Sequence, residues 1–112
     1  MRIWDVDPKI LCQKHLVAEH RELHAVWIVI TKNRNGYSRH PETLRWHGKL
    51  AALYYRHERL VREFTRRGYR HYTPLNKKLA IGNRYQLEYI DDPSKQLKIL
   101  KAKPCGCPRQ TP

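Results

Sequence analysis

The sequence has few acidic residues and no long apolar run. Its 112 residues include 10 Asp and Glu against 23 Lys and Arg, which gives a formal net charge of +13 at pH 7. No apolar stretch approaches the roughly 20 residues of a membrane-spanning helix. The excess positive charges repel one another in a folded chain, and they therefore favour a polyanionic partner. Nucleic acid is the first candidate, an anionic membrane surface is the second, and an ordinary solvated basic surface is the remaining interpretation.

The sequence also lacks a Gly-rich phosphate loop, a metalloprotease helix and the apolar core of a secretory signal peptide. We therefore expect an intracellular, cytoplasmic protein in which the three cysteines stay reduced. Cys105 and Cys107 form a single pair without the second pair that is typical of a zinc site, so we expect no metal site. A small metal-binding adaptor built around this tail remains an alternative.

Two long helices are predicted from the spacing of apolar residues. Asp7 and Pro8 are typical of a helix start, and the apolar residues that follow recur at helical spacing to about residue 31. Residues 49–67 form the clearest helix, with an apolar face opposite a basic face. Gly68 follows, where a left-handed helix end favours glycine.

The rest of the chain predicts shorter elements. Residues 73–82 begin with Thr-Pro and are predicted as a weaker helix, whereas residues 92–103 begin with Asp-Pro and predict a last helix that Pro104 ends. We expect an all-α fold: a single compact domain of three main helices over residues 1–104, with an amino-terminal segment packed against them. An irregular tail over residues 105–112 follows.

The two faces of residues 49–67 predict which side chains are buried and which are available to a polyanionic partner. Tyr54 and His57 lie on the apolar face, so we expect Tyr54 in the core and His57 at its edge. The basic face is either a surface that follows a phosphate backbone or an ordinary solvated face. Its members include Arg56, Arg59, Arg62 and Arg66. Outside this helix, Trp4 and Tyr37 are the best aromatic candidates for surface contact with bases.

The segment H-L-V-A-E-H-R-E-L, residues 15–23, is where we expect chemistry. His15 and Glu22 are two helical turns apart and share a face, with Glu19 between them. The carboxylate of Glu22 would lie at the rim of the core, partly shielded from water. From residue types alone, a solvated face with loosely paired carboxylates and a functional site both fit this pattern.

This segment resembles the corresponding helix of the pyrimidine-dimer DNA glycosylase (endonuclease V) family, which includes a phage enzyme and small bacterial relatives. The similarity begins at Met1-Arg2-Ile3, continues through this helix and resumes in L-V-R-E-F-T-R-R-G-Y, at the end of the second long helix. The resemblance implies a DNA-repair glycosylase with an associated abasic-site (β-elimination) lyase activity. It also implies a double-stranded DNA substrate containing a damaged base such as a pyrimidine dimer, without a cofactor, a membrane or an obligate protein partner.

The resemblance assigns roles to five residues. It implies that the α-amino group of Met1 is the nucleophile and that Glu22 is the catalytic carboxylate. It implies that Arg2, His15 and Arg21 bind DNA. Met1 occupies the position of the family's amino-terminal threonine, and Arg2 is too bulky for the usual removal of an initiator methionine, so the spacing fits an unprocessed chain.

The chemistry of such an amine follows from its acidity. An α-amine has an ordinary pKa of about 7.7–8.0, so a useful fraction of it is neutral and nucleophilic at cellular pH. The charges of Arg2 and Arg21 would increase that fraction. Attack at C1′ of the damaged nucleotide releases the base and leaves an imine to the sugar. Glu22 would stabilise the cationic transition state and move the protons of β-elimination.

The sequence departs from the family pattern at several positions. Ala25 stands where the phage enzyme has a further phosphate-binding arginine, His20 replaces a tyrosine, and the Cys-Gly-Cys-Pro tail replaces an aromatic one. These differences leave the lesion open among a cyclobutane dimer, a ring-opened purine and another bulky base. They also leave an alternative function, a non-catalytic basic helical nucleic-acid-binding protein on the same scaffold.

Overall fold

The computed structural model describes residues 2–32, 39–70 and 73–103 of the chain. The helices are α1 (Gln13–Thr31), α2 (Pro41–Leu44), α3 (Leu50–Arg67) and α4 (Pro93–Lys101), with 3-10 turns at Pro8–Ile10 and Lys77–Leu79. The predicted all-α domain with three main helices, α1, α3 and α4, is confirmed. No helix within these ranges has the length and apolar character to cross a membrane. Tyr37, predicted to contact bases, and the tail over residues 105–112 lie outside the described residues.

The first long helix starts later than the sequence predicts. Asp7 accepts a hydrogen bond from the backbone N–H of Lys9, and Pro8 opens the turn that the Asp-Pro pair indicates. The chain then becomes extended at Leu11, which is completely buried, and α1 begins only at Gln13. Burial of Leu11 thus interrupts what its apolar spacing predicts as one continuous helix, because tertiary packing overrides local preference.

The second long helix and the last helix are confirmed. α3 starts one residue later than predicted and ends at Gly68, which has φ +81° and donates its N–H to the carbonyl of Thr65. This is the left-handed end that favours glycine. α4 starts where predicted, because the Asp92 side chain accepts a hydrogen bond from the backbone N–H of Lys95 at 3.0 Å.

The helix predicted over residues 73–82 is wrong, and the segment contains only the 3-10 turn Lys77–Leu79. A short helix is stable mainly when it packs an apolar face against the rest of the protein. Here Leu75 and Ala80 are partly buried and the other residues of the segment are exposed. The end of the segment pairs with the start of α3 instead, where the carbonyl of Ile81 accepts a hydrogen bond from the N–H of Ala51 at 2.9 Å.

The core lies between the main helices and an extended amino-terminal segment. Its completely buried leucines are Leu11, Leu16, Leu23, Leu53, Leu60 and Leu100. Tyr54 packs against this core as predicted, whereas His57 is completely buried, so its predicted place at the edge of the core is wrong. Trp4 is only 5% exposed, so its predicted surface contact with bases is wrong. Its neighbour Ile3 is also buried, and consecutive side chains of an extended segment point in opposite directions, so both sides of this segment are covered.

A buried ion pair holds the amino-terminal segment against α1 and α3. Arg56 Nε and Nη2 donate to the two carboxylate oxygens of Glu19 at 2.6 and 2.9 Å, and Arg56 Nη1 donates to the carbonyl of Val6 at 2.7 Å. Arg56 is 7% exposed, so its predicted place on a DNA-facing surface is wrong, whereas Arg59 and Arg62 are exposed. The spacing of α3 could not reveal this, because the acidic partner lies on another helix.

Arg45 and Gln96 hold the same segment from other directions. Arg45 Nη2 donates to the carbonyl of Ile3 at 2.8 Å and pairs with the carboxylate of Asp5 at 3.0 Å. The side-chain oxygen of Gln96, in α4, accepts a hydrogen bond from the backbone N–H of Asp5 at 2.7 Å. We call Arg45, Arg56 and Gln96 the amino-terminal clamp. Through it, three separate parts of the chain fix one extended segment.

Substitution of Arg56 tests the clamp. Arg56→Met leaves the buried carboxylate of Glu19 without its cation and the carbonyl of Val6 without this donor. We therefore expect the free energy of unfolding to fall by about 3–5 kcal/mol. Urea denaturation followed by circular dichroism measures the change.

Arg62→Met is the matched control, because Arg62 is exposed on the same helix. Its effect should stay within about 0.5 kcal/mol. The double variant Glu19→Met/Arg56→Met should recover part of the loss, since it also removes the uncompensated charge. If Arg56→Met were as mild as Arg62→Met, the clamp would not depend on this ion pair.

Candidate active site

A pocket of about 400 Å³ opens where α1, the region around α4 and the amino-terminal segment meet. Glu22 and His15 both line it, which confirms that these two side chains share a face of α1. The complete lining consists of Arg2, Trp4, His15, Ala18, Glu19, Glu22, Ile99 and Lys103. Segments that are distant in the sequence therefore meet around Glu22.

Glu19, which lies between His15 and Glu22 in the motif, has a different environment from these two residues. Its carboxylate is buried and bound by Arg56, and it also accepts a hydrogen bond from the backbone of Trp4. Burial raises the pKa of Glu19, and the guanidinium of Arg56 opposes that rise. Glu19 thus belongs to the packing of the amino-terminal segment, whereas Glu22 is only partly buried at the pocket.

Arg2 is oriented by two neighbours. Its Nη2 lies 3.0 Å from a carboxylate oxygen of Asp91, and its guanidinium lies 5.0 Å from the centre of the Trp4 ring. Hydrogen bonds from Lys95 and then Arg2 hold the pKa of Asp91 below its ordinary value. The Arg2 side chain remains 30% exposed, so a phosphate can still approach it from solvent.

The imidazole of His15 lines the pocket. Its ring meets the ring of Trp4 edge-on, with 5.9 Å between the centres, and its Nδ1 lies 3.2 Å from the sulfur of Cys12. Burial lowers the pKa of His15 from its ordinary 6.5, and the charges of Lys103 and Lys14 lower it further. At pH 7 the side chain is therefore an uncharged hydrogen-bonding group.

Arg21 lies outside this pocket. It is exposed and lines a neighbouring groove along α1. Ala18 lines both the groove and the pocket, so a small side chain separates the two. The structure thus brings together three of the predicted site residues, Arg2, His15 and Glu22, and places Arg21 on the next face of the helix.

Met1 lies outside the described residues, so its role as the nucleophile stays a prediction. The residues that follow it are described. Arg2 lines the pocket, and Ile3 is only 1% exposed because it is packed in the core. Between Ile3 and Arg2 the chain therefore passes from the core to the pocket.

Two further pocket residues were missed by the sequence analysis. Ile99 and Lys103 lie four residues apart at the end of the chain's described part, one in α4 and one just after it. This helical spacing is a signal that they share a face. No pattern in the sequence, however, places that face against α1.

The pocket combines positive charge with one accessible carboxylate. Arg2 and Lys103 can attract the phosphates of a nucleic acid, and Glu22 can stabilise positive charge or accept a proton beside them. Within the described residues, the side chains able to hold a metal ion together are elsewhere: His20, His24 and His57, whose ligand atoms all lie within 4.8 Å of one another.

Comparison with known families gives one match. The family model for pyrimidine dimer DNA glycosylase matches residues 1–77, which include all of α1 and α3. The matched part contains every site residue predicted from the sequence: Met1, Arg2, His15, Arg21 and Glu22. Comparisons with curated proteins and with solved structures gave no significant match. Because the family model covers more than half of the 112 residues, the chain belongs to the pyrimidine dimer DNA glycosylase family.

Proposed function

We propose that this protein is a DNA-repair glycosylase with an associated abasic-site lyase activity, and that Met1 and Glu22 are its catalytic residues. The observation that carries the proposal is that Arg2 and Glu22 line the same pocket. One peptide bond separates Arg2 from Met1, and the amino-terminal clamp fixes the segment that follows. Membership of the family implies DNA glycosylase chemistry in general.

The proposed reaction has two stages. The neutral α-amine of Met1 attacks C1′ of the damaged nucleotide, the bond from C1′ to the base breaks, and the base leaves with a proton. The sugar ring then opens and leaves an imine between C1′ and the amine. Glu22 stabilises the positive charge at C1′ and next accepts a proton from C2′, so that the 3′ phosphate leaves by β-elimination. Hydrolysis of the imine frees the amine.

The proposed substrate is double-stranded DNA with a damaged base, in the cytoplasm. Arg2 at the pocket and Arg21 at the neighbouring groove along α1 would bind phosphates, and His15 would donate or accept a hydrogen bond without adding charge. A damaged base is poorly stacked, so rotating it out of the duplex costs less than rotating a normal base. The pyrimidine dimer is the lesion that the family name favours.

A non-catalytic nucleic-acid-binding protein on the same scaffold is the second candidate. Exposed arginines on α3, Arg59 and Arg62, favour it because they offer phosphate contacts that need no chemistry. Turnover of a lesion-containing duplex distinguishes this candidate from the first.

Trapping with borohydride tests the nucleophile. On a duplex with an abasic site or a pyrimidine dimer, borohydride should reduce the imine and give a covalent protein–DNA adduct. Digestion and mass spectrometry should place the adduct on the amino-terminal peptide, at the α-amine of Met1. Acetylation of this amine should abolish the adduct, since an amide nitrogen is not nucleophilic.

The same experiment separates the two candidate functions. An adduct mapped to a lysine would contradict the assignment of Met1. Tight binding without any adduct or strand cleavage on any lesion in a panel would favour the non-catalytic protein.

Glu22→Gln tests the carboxylate. The amide keeps the size of the side chain and loses the charge, so the turnover rate should fall by at least about 100-fold, in the range of general acid–base effects. Lesion binding, measured by fluorescence anisotropy, should change little. Glu88→Gln is the matched control, because Glu88 is 72% exposed and lies outside the pocket. Equal cleavage rates in the two variants would remove Glu22 from the mechanism.

The neutral state of His15 predicts a difference in the salt dependence of DNA binding. Arg21→Gln should reduce the slope of log K against log salt concentration by about 0.9, which is the contribution of one phosphate contact. His15→Gln should weaken binding and leave the slope unchanged at pH 7, because lowering the pKa of His15 keeps it uncharged there. A reduced slope for His15→Gln would show that the imidazole is charged in the complex.

A further inference from the structure

Three histidines converge on the side of α1 away from the pocket. His20 and His24 are four residues apart on α1 and share a face, roughly half a turn from Glu22 at ~100° per residue. His57 comes from α3. The Nε2 atom of His24 lies 3.2 Å from Nε2 of His20 and 3.2 Å from Nε2 of His57. We call these three residues the histidine cluster.

The spacing of the three nitrogens fits a single metal ion. Zinc–imidazole bonds of about 2.0–2.1 Å in a tetrahedral site place the ligand nitrogens about 3.3–3.4 Å from each other. Two of the three separations are 3.2 Å, and all three ligand atoms lie within 4.8 Å. The three nitrogens thus lie close to the spacing of three corners of a tetrahedral site.

The carboxylate of Glu58 orients the buried ring of the cluster. Its Oε1 lies 3.0 Å from Nδ1 of His57, which is completely buried. A proton on Nδ1 donates to this carboxylate and leaves the lone pair of Nε2 directed at the other two histidines. Histidines that bind metals are commonly held in this way by a carboxylate behind the ring.

A hydrogen-bonded cluster is the competing interpretation. Whichever ring donates, Nε2 of His24 carries either one proton or one lone pair, and it lies 3.2 Å from both neighbouring nitrogens. A single N–H points in one direction, so it cannot form two well-aligned bonds at once. A metal ion satisfies three converging lone pairs together, which is why we favour it.

We propose that the histidine cluster binds one divalent transition-metal ion, zinc being the first candidate, and that the ion fastens α1 to α3. Imidazole ligands suit zinc, nickel and copper. His20 also lines a groove with Phe64 and Tyr69, through which an ion can enter and a water can supply the fourth ligand. Because the ligands come from two helices, binding stabilises the folded state. The proposal is independent of the DNA chemistry, since the cluster and the pocket share no residue.

Metal titration of the chelator-treated, full-length protein tests the proposal. Zinc should bind with a stoichiometry of one per chain and raise the melting temperature by at least about 5 °C. Cobalt should give a visible absorption spectrum of a tetrahedral site with nitrogen and oxygen ligands, without the intense near-ultraviolet band of a thiolate ligand.

Variants identify the ligands. His24→Gln and His20→Gln should each abolish the thermal shift and the cobalt spectrum, while circular dichroism shows that α1 and α3 are retained. His20 and His24 are both only partly buried, unlike His57, so if one of the two variants does not fold, the other decides. His47→Gln is the matched control, since His47 is exposed and outside the cluster.

Cys105→Ser/Cys107→Ser is the second control and should bind metal as the unmodified protein does. The proposal is overturned if zinc does not bind, if binding survives loss of His20 and His24, or if binding is lost with the two cysteines. The last outcome would support the cysteine-tail adaptor that the sequence left as an alternative.

Discussion

The buried contact between Glu19 and Arg56 is the interaction on which the rest of this structure depends. It joins the middle of α1 to the middle of α3, and the same guanidinium holds the carbonyl of Val6. A carboxylate and a guanidinium can leave water only when each satisfies the other. The pair therefore sets one relative position for two helices and the amino-terminal segment. The place of Arg2 at the pocket is a consequence, because the segment is fixed a few residues away.

Three sides of α1 contact three different parts of the molecule. One side faces the core through residues such as Leu16 and Leu23. A second side presents Glu22 to the pocket, and the third carries His20 and His24 toward α3. Glu22 and the two histidines thus lie on different faces of one helix. A change that loosens α1 from α3 would nevertheless affect the pocket, since the rigid helix transmits the displacement.

The part of the chain beyond the family match completes the pocket. The match ends at residue 77, whereas Gln96, Asp91, Ile99 and Lys103 come from later residues. The matched part supplies the helix with Glu22, and the later part holds the amino-terminal segment and forms one wall. Ile99 and Lys103 thus line the pocket from outside the matched part of the chain.

The sequence by itself determined the all-α class, the extent of α3, the start of α4, the shared face of His15 and Glu22, and the resemblance that names the family. These features rest on short-range spacing, capping residues and a local motif, all of which a linear pattern contains. Only the tertiary structure decided that Arg56 is buried rather than exposed to DNA, that Trp4 is in the core, and that residues 73–82 are not a helix. Each of these depends on a partner or a covering surface from a distant part of the chain. The same reason explains why the histidine cluster was missed, because a ligand set divided between two helices has no spacing in the sequence until the helices pack.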